Sequence, residues 1–261
     1  VISYVKEYHI IHHGHSKPFI LEQYAWLFGE ILSTKFNKNQ DYDIIIARDY
    51  FFISNLKTQI PIVYIGDTTF NLFKNYLGVG NTHFARLADK IEQKAISNAD
   101  LIIYSSEWAK KDAVNHYGAN PGKIKVIEFG ANLPKTTIPR QIIFSETACC
   151  NLLFIGRNWQ NKGGEKAYQT NLSLRRRGFF CSLTIIGCNP AHLDTEDSQL
   201  HIIPFIDKSK KEDQQRLDKS FKNTHFFILP TIFDCYGIVF CEASAYGIPS
   251  LAADVGGVHQ V

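Results

Sequence analysis

The sequence predicts an α/β protein made of parallel sheets covered by helices and divided into two domains. Three observations carry this. Short apolar runs bounded by turn residues recur at 43–47, 62–65, 101–105, 124–127, 152–156, 183–187, 201–204, 226–230 and 250–253, the pattern of strands buried on both faces. Longer stretches of mixed periodicity separate them, at 19–36, 83–98, 107–117, 165–177, 210–222 and 237–245, with the length of covering helices. Strands alternating with helices imply crossover units and hence parallel sheets. The pattern then lapses after Asn132 into Leu133-Pro134-Lys135-Thr136-Thr137-Ile138-Pro139-Arg140, with two prolines and no period. This reads as a linker over 133–149 between an N-terminal domain, 1–132, and a C-terminal domain, 150–261.

Composition narrows the class. At 261 residues with 45% hydrophobic content, the chain has apolar material for one large or two modest cores. Net charge is +3, and the excess falls within the first 140 residues. That allows peripheral contact with an anionic membrane but lacks the concentrated basic stripe that nucleic acid requires. Six cysteines show no C-x-x-C and no regular framework, so reduced thiols in the cytoplasm are expected. No apolar run reaches the length of a membrane-spanning helix, and no signal peptide is evident. Methionine is absent even at position 1, as in a piece of a longer chain or a sequence written without its selenomethionines.

Along the first domain, His9, His12, His13 and His15 form a dense group, but without Cys or carboxylates at ligand spacing it reads as a surface segment and not a metal site. Asp41-Tyr42-Asp43 precedes its strand and reads as a polar turn. Asp67, in Gly66-Asp67-Thr68-Thr69, either takes a polar role at a binding site or caps the following helix. Gly78-Val79-Gly80 is half a dinucleotide fingerprint without its strand and carries little weight.

The second domain carries the chemistry. Arg157 and Lys162 follow a strand and precede a helix, with Gly156, Gly163 and Gly164 freeing the backbone between them. Two cations at a strand end suit a diphosphate, arginine as a planar fork and lysine as a point charge. Further on, the strand at 226–230 opens into Thr231 to Cys235, and a helix starts near Tyr236 or Gly237, aiming backbone N–H groups at the carboxyl end of the sheet where such folds bind ligands. Asp234 and Glu242 flank this turn eight residues apart, and acids at the rim of an anion site suit sugar or ribose hydroxyls.

These segments, with Ala99-Asp100-Leu101 and Lys123-Ile124-Lys125 through Asn132, resemble the retaining GT-B glycosyltransferases of family 4, over residues 43 to 261. The resemblance implies two Rossmann-like domains facing each other across a cleft, the first on the acceptor side and both incomplete here. It implies a sugar donor linked to a nucleoside diphosphate, UDP or GDP, and a glycan, lipid or small-molecule acceptor. Arg157 and Lys162 would grip the donor diphosphate and stabilise it as it leaves. Asp234 would meet the donor sugar and Glu242 the ribose. Gly156 and the backbone of Cys235, Tyr236, Gly237, Ile238 and Val239 would line the phosphates, and Phe205 and Ile206 the base. Metal and resident cofactor are not expected. Asp234 replaces the family's usual Glu, and no histidine stands at 66–69, where many relatives place one near the reacting sugar. A nucleotide-sugar 2-epimerase and a non-catalytic sugar-nucleotide binder are the rival readings.

Overall fold

The computed structural model describes residues 18–38, 41–134, 139, 149–194 and 196–261, with side chains from residue 21 onward. The chain divides into two compact units, Val1–Glu128 and Phe129–Val261. The histidine group at 9–15 and most of the expected linker, 135–138 and 140–148, lie outside the described residues. At this boundary Leu133 packs against the core of the second unit, and the Phe129 carbonyl accepts from Tyr236 Oη and Cys241 Sγ.

In the first unit the elements run α1 (Pro18–Lys38), β1 (Ile45–Ala47), α2 (Tyr50–Ile53), β2 (Ile62–Gly66), α3 (Phe70–Tyr76), α4 (His83–Asn98), β3 (Leu101–Tyr104), α5 (Glu107–Tyr117) and β4 (Ile124–Val126). The four strands are all parallel and lie in chain order, β1-β2-β3-β4. Ile45, Ile62, Tyr64, Ile102, Tyr104 and Ile124 pack against Ala95, Ala109 and Ala113, small residues that let α4 and α5 lie close to the sheet.

Helices α4 and α5 fall on the residues the sequence predicts because their ends are written locally. Thr82 and Ser106 accept from the amides of Ala85 and Ala109, and Gly118 closes α5 in the left-handed region at φ 66°. The short helices α2 and α3 have no such periodic signature. The start of α3 is held by Thr69, which accepts from Leu72 N, and by Glu92 Oε2, which accepts from Phe70 N at 2.5 Å. Asp67 is therefore not the cap of this helix; the hydroxyl two residues later is.

Glu92 is fully buried, with the Tyr64 hydroxyl 3.3 Å from its Oε1. Burial pushes its carboxyl up to about 7. Burial also raises the Tyr64, Tyr104 and Tyr117 hydroxyls around it. Asp112, which bonds both Thr69 Oγ1 and Asn71 Nδ2, braces the same helix start from α5.

In the second unit the elements run β5 (Cys150–Ile155), α6 (Gly164–Arg176), β6 (Cys181–Ile186), β7 (Leu200–Ile203), α7 (Lys211–Lys222), β8 (Phe226–Leu229), α8 (Ile238–Ala245) and β9 (Ser250–Ala252). All five strands are parallel, ordered β7-β6-β5-β8-β9. Leu152, Leu153, Phe154, Leu183, Ile185, Phe227 and Leu229 form a fully enclosed central core. None of the six cysteines is in a disulfide, and burial pushes the Cys181 thiol up to about 12, so it behaves as a small core hydrophobe.

The candidate donor site

The strand order of the second unit reverses at one place. The chain builds β5, β6 and β7 outward in one direction, then returns to lay β8 on the other side of β5. In open parallel sheets the carboxyl ends on either side of such a reversal border the ligand crevice. Both loops singled out in the sequence arise there: 156–163 after β5 and 230–237 after β8.

The two loops are joined to each other. The Asn161 carbonyl accepts from Ile232 N at 2.9 Å and from Thr231 Oγ1 at 3.1 Å. Gly163 has φ 71°, and a Cβ there would lie 1.9 Å from the Pro230 carbonyl oxygen, so no other residue fits between the loops. Gly164 admits the Trp159 ring, which packs edge-on to Phe154 at 5.4 Å. Asn158 closes the turn by accepting from Asn161 N through Oδ1 and from Lys162 N through its carbonyl.

The helix starts differ between the units. In the first unit α2, α3, α4 and α5 each receive a side-chain cap, from Asp49, Thr69, Thr82 and Ser106. In the second, α6 and α8 begin at Gly163 and Gly237, both at positive φ, and neither has a side-chain cap. Helix α8 has no acid in its first turn, whereas α6 carries Glu165 there. Its leading amides, at Ile238 and Val239, keep the donor capacity of a helix start together with the positive end of the dipole. Helix α7 also lacks a side-chain cap, but it carries Glu212 and Asp213 in its first turn, a poor place for an anion.

The sequence-predicted residues distribute as follows. Arg157 is exposed and makes no ion pair among the described residues. Lys162 Nζ lies 2.6 Å from Asp234 Oδ2, with both side chains partly buried. Gly156 is buried and donates its amide to Ile186 O, anchoring the loop to β6. Cys235 is half-buried; the Tyr236 side chain turns into the unit, its ring 5.4 Å from Phe129. Phe205 is 60% exposed, its ring open to solvent, whereas Ile206 packs on the core. Glu242, on the second turn of α8, is 4% exposed.

One residue of this group escaped the sequence reading. Lys208 Nζ lies 2.5 Å from Glu242 Oε1, across 34 residues. In sequence Lys208 belongs to Lys208-Ser209-Lys210-Lys211, which reads as a solvated charge run, and no spacing rule links it to α8. Among the described residues no three His, Cys, Asp or Glu side chains gather as a metal would need.

Comparison with known proteins decides the family. Residues 4–134 match the family model of Glycosyltransferase Family 4, and residues 149–261 that of Glycosyl transferases group 1. The chain belongs to glycosyltransferase family 4. Among curated proteins, this family 4 chain is 25% identical over 271 residues to the D-inositol 3-phosphate glycosyltransferase of Corynebacterium diphtheriae, covering 94% of the chain and 62% of that protein. It is 26% identical over 215 residues to the protein of the same name from Gordonia bronchialis, covering 76% of the chain and 47% of the relative. The family 4 chain thus spans less than two thirds of the length of these relatives. Among solved structures it resembles the sucrose-phosphate synthase of Thermosynechococcus elongatus, with TM-score 0.63 and 16% identity over 89% of the chain and 61% of that structure. WaaG, a glycosyltransferase involved in lipopolysaccharide biosynthesis, gives TM-score 0.61 and 15% identity over 88% and 64%. The fold is α/β, of the GT-B class expected from the sequence.

Proposed function

We propose that this protein moves a sugar, with retention of anomeric configuration, from a nucleoside diphosphate sugar to an acceptor. The observation that carries the proposal is the sheet reversal at which two glycine-started, uncapped helices meet Arg157, Lys162, Asp234 and Glu242. A diphosphate is the ligand that this arrangement suits, since cations and helix starts supply the positive field without a metal. When the glycosidic bond breaks, negative charge grows on the departing diphosphate, and the same groups stabilise it more strongly than they do the bound donor. Asp234 and Glu242 then serve hydroxyls, of the sugar and the ribose in turn, and exposed Phe205 offers a face to the base.

The test is incubation of the full-length protein with UDP-, GDP- and ADP-sugars and a set of acceptors. D-inositol 3-phosphate goes first among them, because it is the compound in the name of the relatives. Transfer with retained configuration supports the proposal. Epimerisation of the donor without transfer, or binding without turnover, would replace it by one of the rival readings. Within the site, Glu242→Gln should raise the donor KM while kcat moves little, because ribose is remote from the developing charge. Loss of kcat at unchanged KM would remove Glu242 from the ribose.

A further inference from the structure

The pairing of Lys208 with Glu242 gives the nucleoside end of this site a second residue. Glu242 is almost wholly enclosed, and among the described residues Lys208 is its one hydrogen-bonding partner, through Oε1. Burying a carboxylate is costly unless it is paired, and the Lys208 ammonium supplies that partner at 2.5 Å. Only one of the two carboxylate oxygens is occupied by this contact.

The lysine is itself held. Asp207 accepts from Ser209 N and Ser209 Oγ through Oδ1, and its own amide donates to Asp213 Oδ2 at the start of α7. Gln214 Nε2 donates to the Lys208 carbonyl at 2.6 Å. Three side chains, of Asp207, Asp213 and Gln214, thus bond the backbone of residues 207–209 in the loop between β7 and α7, and the Lys208 side chain is 42% exposed, placed between solvent and the buried acid. The loop continues directly from Phe205 and Ile206.

We propose that Lys208 is a positioning residue: it grips one oxygen of Glu242 so that the other is presented, charged and in a fixed rotamer, to the vicinal hydroxyls of the donor's ribose. This rests on the reading that Glu242 takes the ribose, and the experiment separates the two. Calorimetry of the full-length protein is run with UDP, GDP, ADP and inorganic pyrophosphate. Pyrophosphate has no ribose and reports on the phosphate end and on correct folding together.

Lys208→Met should weaken whichever nucleoside diphosphate binds by about tenfold to a hundredfold, the scale of one charge-assisted hydrogen bond, and leave pyrophosphate unchanged. Glu242→Gln should match it. The double variant should fall within about twofold of the weaker single variant, because the two residues act as one unit. Lys208→Arg should restore most of the affinity. If Lys208→Met does not fold, Lys208→Gln, which keeps a donor but no charge, is read the same way. Normal nucleotide binding by the Lys208 variant beside a weakened Glu242→Gln overturns the inference and leaves the ribose reading standing. Equal weakening of pyrophosphate and nucleotide, or losses that add in the double variant, also overturns it. Full nucleotide affinity in Glu242→Gln, or no nucleotide binding by the parent protein, brings down the ribose reading and the inference with it.

Discussion

Lys162 and Asp234 are counter-ions of each other, 2.6 Å apart, although they leave the sheet on different strands 72 residues apart in sequence. The cation assigned to the diphosphate and the acid assigned to the sugar are therefore not independent. Removing either leaves the other partly buried and unpaired.

The first prediction follows from that pair. Lys162→Ala should weaken nucleoside diphosphate binding by about 10 to 150-fold and also lower kcat, since the leaving group gains charge in the transition state. Asp234→Asn keeps the size of the side chain and should depress kcat with less effect on pyrophosphate binding. In a double-mutant cycle the two losses should be non-additive. Strict additivity, measured by calorimetry and initial rates, would mean that the ion pair has no part in the function.

A second prediction contrasts two glycines. Gly163 and Gly178 both have positive φ, but a Cβ at Gly163 would collide with Pro230 whereas at Gly178 nothing lies within 4 Å. Gly178→Ala should cost about 1 kcal/mol, from backbone conformation alone. Gly163→Ala should cost more than about 2 kcal/mol and reduce pyrophosphate binding, because the loops must part. Urea unfolding midpoints for the two variants decide it; equal losses would contradict the packing argument.

Glu92 supplies a dependence on pH. Its folded carboxyl is raised from 4.5 to about 7, mainly by burial, so the native state retains a proton that the unfolded chain releases. The contribution is complete below about pH 4.5 and disappears as pH rises through 7, a change on the order of 3 kcal/mol. Stability followed by circular dichroism should therefore fall between pH 5 and 8, and Glu92→Gln, which mimics the protonated acid, should flatten that fall. An identical slope in parent and variant would exclude Glu92 as its source. Asp197 and Asp218, held low chiefly by Arg175 and Lys222, act with the opposite sign, losing their contribution only as pH falls further.

Chelation provides a fourth check. If the positive field comes from Arg157, Lys162 and the acid-free start of α8, EDTA should leave UDP or GDP affinity unchanged by calorimetry. A tenfold or larger loss would require a metal in the donor site.

Much of the fold was legible because its signals are local. Each of the nine apolar runs overlaps a strand, and the capped helices α4 and α5 begin and end on the residues expected. The glycine and cation pattern at 156–164 placed its loop correctly because a strand end, a tight turn and a helix start each demand particular residue types. What stayed hidden depends on partners distant in sequence. Helix α3, with seven residues, starts where Glu92 and Asp112 brace it, 22 and 43 residues on from the groups they hold. Lys208 shares no periodic relation with Glu242, and only the packing of α8 beside the loop after β7 brings their charges together.

The shared carbonyl of Asn161 has one more consequence. Because it receives both Ile232 N and Thr231 Oγ1 while Gly163 rests on Pro230, the loops after β5 and β8 are joined into one hydrogen-bonded unit. Under the proposed function, a donor bound there would meet the two loops as one joined surface. On that reading, a sugar that displaces the Asp234 side would drag the Lys162 side with it, so an ill-fitting sugar would be penalised at the phosphates as well, and selectivity for the sugar would become a property of how the leaving group is held.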